Sequence, residues 1–155
     1  MNKLNALILS PNPRVHGGVS TFIELMKKHL KQTRAHAIWV GSIQGEKEFK
    51  ILQLLRLITV PFKTVFNVCF LRPDVVHINP SLDWKSVIRD GLILLALRLI
   101  CYKAVLVYFH GWEPQVEKQI EGNSFLRRVF VWLLEGTAKV LVLSPEFKEA
   151  LIRMG

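Results

Sequence analysis

The chain has 155 residues, half of them apolar, and carries 21 Lys and Arg against 12 Asp and Glu, a formal +9. The apolar content excludes an intrinsically disordered chain, and the length suits one domain with a core of its own. The positive balance favours phosphates, acidic partners or an anionic membrane surface; nucleic acid is disfavoured, since no Arg/Lys cluster interleaves with aromatics and no zinc-finger spacing occurs.

In chain order, the apolar run Leu4 to Ser10 reads as a buried strand. Ser10-Pro11-Asn12-Pro13-Arg14-Val15-His16-Gly17-Gly18-Val19 follows, and Val19–Lys31 reads as a helix with a basic last turn. Strand, Gly-rich turn and helix start together make an anion-binding corner, because the first helical N–H groups lack partners and the dipole favours negative charge there. Gly17 and Gly18 allow close backbone approach, which suggests a nucleotide or phosphorylated ligand; a tight turn needing positive φ is the alternative. The turn is neither GxGxxG nor a P-loop.

Ala35–Val40 is a second strand closed by Gly41, and a polar loop precedes the long apolar helix Lys50–Leu71. Gln53, Arg56, Lys63, Thr64 and Asn67 form its narrow polar stripe, and Pro61 is expected to kink or divide it. Asp74–Ile78 is the third strand, with Asn79-Pro80-Ser81 as its outgoing turn. Asn79, Ser81 and Asp83 either take acceptor hydroxyls or form an Asx turn and cap the helix Trp84–Tyr102. Ala104–Phe109 is the fourth strand. His110-Gly111-Trp112-Glu113-Pro114 reads as the turn after it. Asn123–Leu134 is helical, capped by Asn123 or Ser124. Lys139–Leu143 is the fifth strand, and Ser144-Pro145 opens a last helix over Glu146 to Met154. Five strands alternating with helices define an α/β domain with a parallel sheet covered on both faces, whose ligands bind beyond the carboxyl ends of the strands.

Cys69 and Cys101 sit in apolar stretches and are expected to pack as small hydrophobes, which fits a reducing, cytoplasmic compartment. No secretory signal stands out, since the first apolar run ends at Ser10-Pro11-Asn12-Pro13. No uncharged span of about 18–20 apolar residues is present; the best candidate, Leu92 to Phe109, is broken by Arg98 and Lys103 and reads as a buried helix followed by a strand. Lys50–Arg72 and Phe125–Phe130 combine apolar faces with Lys and Arg, as a peripheral segment at a membrane surface does; the competing reading is that these faces cover the sheet or another domain.

With its loops in place, the chain resembles the N-terminal half of a GT-B-fold glycosyltransferase of the large retaining group that uses nucleotide diphosphate sugars. The resembling pieces come in order: Gly17-Gly18-Val19 opening a helix that ends Met26-Lys27-Lys28-His29-Leu30, then Pro73-Asp74-Val75-Val76-His77-Ile78-Asn79, Val107-Tyr108-Phe109-His110-Gly111, and Val140-Leu141-Val142-Leu143-Ser144. The resemblance implies a Rossmann-like doubly wound parallel sheet, the acceptor-side half of a two-domain fold. It implies that a second, donor-binding domain follows in cis or comes from a partner chain, and that the isolated 155 residues are inactive. It implies Gly17 and Gly18 facing the donor diphosphate, and His110 near the transferred sugar as the catalytic-site histidine. Asn79, Asp83, Trp112 and Glu113 are the candidates for acceptor or sugar binding; Trp112 as packing and Glu113-Pro114 as a simple turn are the alternatives. His110 as a strand-end residue bonded to backbone is likewise an alternative. His16 reads as a loop residue and His77 as a core histidine. The resemblance implies no cofactor and no metal; the substrates would be the nucleotide sugar and a saccharide or lipid-linked acceptor, handled in the cytoplasm or at the inner membrane face. The rival reading is a stand-alone nucleotide-binding or regulatory partner module without catalysis of its own.

Overall fold

The structure, a computed structural model, describes residues 4–11, 17–29, 33–40 and 49–155. The strands are β1 (Leu4–Ser10), β2 (Thr33–Trp39), β3 (Val75–Ile78), β4 (Ser81–Leu82), β5 (Val105–Phe109), β6 (Gly111–Trp112) and β7 (Lys139–Val142). The helices are α1 (Gly18–His29), α2 (Lys50–Leu71), α3 (Trp84–Leu99), α4 (Pro114–Gly122), α5 (Ser124–Glu135) and α6 (Pro145–Met154). Five strands form a parallel sheet in the order β2-β1-β3-β5-β7, and β4 and β6 form a separate two-stranded ladder. The chain divides into two compact units, Met1–Ile78 and Asn79–Gly155.

In the first unit β1 is central. It pairs in parallel with β2, Leu4 opposite Thr33 through Ser10 opposite Trp39, and with β3, Ala6 opposite Val75 through Leu9 opposite Ile78. A strand flanked on both edges and covered on both faces needs a continuous apolar run, and Ala6 to Leu9 are all buried. Ile23 of α1 packs on Ala6 and Ile8, with Val19, Phe22, Met26 and Val75 around them. Asn5 ties the turn after α2 to β1. Its N–H donates to Asp74 Oδ2 at 2.7 Å, and its Nδ2 donates to the Leu71 carbonyl at 2.9 Å. The Asp74 N–H in turn donates to the Asn5 carbonyl at 2.7 Å.

Helix α2 runs undivided through Pro61, so of the expected kink or division the division does not occur. Proline removes one donor from a ladder of 22 residues, and the apolar turns on either side sustain the rest. Arg72 ends the helix in the left-handed region, φ 44°, with its N–H bonded to the Val68 carbonyl at 3.0 Å and Pro73 next in the chain. Residues Ile51–Leu71 are long and apolar enough to cross a membrane, with a mean hydropathy of 1.6. The sequence reading placed the best candidate at Leu92–Phe109 instead. That segment divides into the end of α3, a turn with Cys101 at φ 56°, and β5.

In the second unit, Ser86, Asp90, Ile93, Leu94 and Leu97 of α3 are buried, a helical stripe, and the helix meets α5 through Gly91, beside Leu133, and Arg98, which donates to the Trp132 carbonyl at 2.7 Å. Val116 and Ile120 of α4, Phe130 of α5, and Ala150 and Met154 of α6 supply further buried positions. Three caps set the helix starts. Asp83 accepts from the Ser86 N–H, Asn123 from Phe125 and Leu126, and Ser144 from Phe147. Strand β7 pairs in parallel with β5, Leu106 opposite Lys139 through Phe109 opposite Val142. Helix α4 and the β4–β6 ladder were not expected from the sequence. Both cysteines are exposed, contrary to the packing expected for them: Cys69 lies on the outer side of α2 and Cys101 in the turn after α3.

Candidate functional site

The loops after β3 and β5 meet through backbone. Ser81 pairs with Gly111 and Leu82 with Trp112 in parallel. The His110 N–H donates to the Pro80 carbonyl at 2.9 Å, and the Glu113 N–H donates to the Leu82 carbonyl at 3.1 Å. Gly111 is required at this ladder, because a Cβ there would lie 2.7 Å from Ser81 Oγ and 3.0 Å from Ser81 Cβ. The ladder brings Asn79 and His110 together at the carboxyl end of β5, where parallel sheets receive ligands, while Asp83, Trp112 and Glu113 lie on or next to its rungs in the chain.

His110 is half-buried, and its Nε2 lies 3.0 Å from Oδ1 of buried Asn79. A carbonyl oxygen only accepts, so in this contact Nε2 is the donor. The Tyr108 ring packs 4.2 Å away, tilted by 47°. Burial pushes the His110 imidazole below its ordinary value and favours the neutral form. A histidine lowered in the folded state contributes stability that is whole above about pH 6.5, the unfolded value, and is lost as pH falls through the folded value. The thermal midpoint is therefore expected to fall from about pH 8 to about pH 5 more steeply in the wild type than in His110→Gln. Equal slopes would contradict the placement of the ring.

Trp112 is held on three sides. Its Nε1 donates to Glu117 Oε2 at 2.6 Å, one face stacks on Phe147 at 4.6 Å and 8°, and Phe109 meets it edge-on at 5.8 Å. Glu117 also binds Arg153 Nη2 at 2.8 Å, and Arg153 Nε reaches Glu121 at 3.2 Å. The Phe147 side of the indole is thus occupied by packing. Glu113 is exposed and precedes α4 without a capping bond from its side chain. Asp83 spends its Oδ1 on the Ser86 N–H at 3.0 Å. Glu117 and Phe147, which hold Trp112, escaped the sequence reading. The signal for Glu117 was Pro114 at a helix start followed by Val116 and Ile120 one turn apart.

Gly17 and Gly18 belong to the first unit, at the start of α1. The Gly17 carbonyl accepts from the Thr21 N–H at 3.0 Å and from Thr21 Oγ1 at 3.1 Å. Neither glycine has positive φ, and a Cβ on either would meet nothing within 4 Å. Asn12 to His16 and Gly41 lie outside the described residues. His77 is buried in β3. Among the described residues no group of three or more His, Cys, Asp or Glu is placed to hold a metal ion.

Sheet order and strand–helix alternation define the class: a Rossmann-like α/β domain with a five-stranded parallel sheet. Compared with known proteins, the chain matches no family model, no curated protein and no solved structure.

Proposed function

We propose that the chain is the acceptor-side domain of a retaining glycosyltransferase of the GT-B type, which moves a sugar from a nucleotide diphosphate sugar to a saccharide or lipid-linked acceptor. The observation that carries this reading is His110, kept neutral by burial and oriented by Asn79 at the carboxyl end of a parallel strand. A neutral imidazole donates through one nitrogen and accepts through the other, which suits hydroxyl recognition without a charge beside the developing positive sugar. Gly17 and Gly18 at the start of α1 fit it, since a helix N-terminus that carries glycines lets an anion approach its backbone closely.

The test is transfer of labelled sugar from a panel of nucleotide diphosphate sugars by the native protein isolated from source cells, with lipid and saccharide fractions of those cells as acceptors. His110→Ala is expected to lower transfer about tenfold or more, the worth of one hydrogen bond made at the reacting sugar. Nucleotide-sugar binding without transfer would favour the stand-alone binding module. Neither binding nor transfer would overturn the reading altogether.

A further inference from the structure

We propose that α2 is a membrane-surface helix that lies in the headgroup plane of an anionic bilayer. The inference goes beyond the transfer reaction and does not depend on it. Three stripes run along this helix. Val60, Thr64 and Val68 are buried and form its inward stripe at four-residue spacing. Arg56, Lys63 and Asn67 form a polar flank. Ile51, Leu55, Ile58, Phe62 and Phe66 recur at steps of three and four residues on the outward side, and every one of them is exposed. Phe62 is 72% exposed, Phe66 67% and Phe70 76%, with the last two stacked at 6.0 Å. One contiguous row of large apolar side chains facing outward marks an interaction surface, unlike scattered single residues.

The occupant follows from charge. Residues 1–78 hold eleven Lys and Arg against four Asp and Glu, whereas residues 79–155 hold ten against eight. No acidic residue occurs in α2. Pairing two copies through this row would set like charge against like charge. An anionic lipid surface accepts the phenylalanines into its acyl boundary and the cations Arg56 and Lys63 at its headgroups.

The topology sets how the helix lies. At 22 residues it is about 33 Å long, enough to span a bilayer. Yet β2 and β3, which it connects, both pair with β1 in the same direction, and Asn5 holds the Leu71 carbonyl at the start of β1. The C-terminal end of the helix is therefore fixed at the sheet, and the buried inward stripe stays with the protein. Only the outward row is left to enter the bilayer.

The experiment is sedimentation of the full-length protein with vesicles of phosphatidylcholine alone or mixed with phosphatidylglycerol. Binding is expected to the mixed vesicles and to weaken with salt. Phe62→Gln with Phe66→Gln should lower it about tenfold or more, and Arg56→Gln with Lys63→Gln should lower it about tenfold at low salt only, each with an unchanged circular dichroism spectrum. Absence of vesicle binding, or binding that neither pair of substitutions changes, would overturn the proposal. So would resistance of the native protein to alkaline carbonate extraction from membranes, which means a spanning helix. A dimer in solution that the double Phe variant converts to monomer would also overturn it, assigning the row to a second copy.

Discussion

Asp90→Ala is expected to lower the stability of the folded chain by about 3 kcal/mol, near the lower bound for breaking a buried ion pair. Asp90 stands on the buried stripe of α3, between Ser86 and Ile93, with only 5% of its side chain exposed. Burial pushes its carboxyl up, and the Arg89 guanidinium pulls it part of the way back. That guanidinium grips it with both arms, Nε to Oδ1 at 2.8 Å and Nη2 to Oδ2 at 2.7 Å. Removing the carboxylate leaves a largely covered cation without its counter-charge and opens a gap beside Ile93. Arg89 keeps some access to solvent, which holds the loss near the lower end. Chemical denaturation should show a lower midpoint at unchanged slope. Arg89→Met combined with Asp90→Leu should recover most of the loss, since an apolar pair of similar volume removes both charges. A double variant as unstable as the single one would show that the pair is not the source.

Gly111→Ala is expected to cost about 1–3 kcal/mol, the range for overpacking a tight site. The new methyl group would sit 2.7 Å from Ser81 Oγ and 3.0 Å from Ser81 Cβ. The hydroxyl can rotate away, but the Cβ moves only with its backbone, so the Ser81 side of the ladder must shift by about a few tenths of an ångström. Because His110 and Asn79 flank that ladder, their 3.0 Å contact should loosen as well. The His110 ring resonances in NMR report it. Adding Ser81→Gly removes both clashing atoms and should restore the ring signals, at the smaller cost of a second flexible residue, about 0.5–1 kcal/mol. Unshifted ring signals in Gly111→Ala would contradict the coupling of ladder and histidine.

The main parallel strands and most helices were legible in the sequence because their cause is local. Ala6 to Leu9 are apolar without interruption, as burial on both faces requires, and Ser144-Pro145 announces a helix by cap and fixed φ. Helix α4 was missed because Glu113-Pro114 signals a turn as well as a helix start, and nine residues carry too few apolar positions to show a period. The β4–β6 ladder has two residues a side, below any periodic signal. At the site, the sequence indicated His110 and Asn79 separately, each by its place after a strand. Their contact spans 31 residues and follows from sheet register. Whether Trp112 offers a ring face depends on Phe147, which only the tertiary fold brings to it. The cysteines fail for the same reason: an apolar neighbourhood along the chain does not say which side of a helix faces outward.

The two backbone rungs between Ser81–Leu82 and Gly111–Trp112 also bear on how such a site can change over evolutionary time. They join two loops through main-chain groups that nearly every residue type possesses. Glu113, just beyond the rungs, takes part through its backbone N–H, and its exposed side chain makes no capping bond. Mutational drift in the side chains of the rungs thereby has little hold on the pairing that sets the Asn79–His110 contact, so that contact can persist while its surroundings diverge.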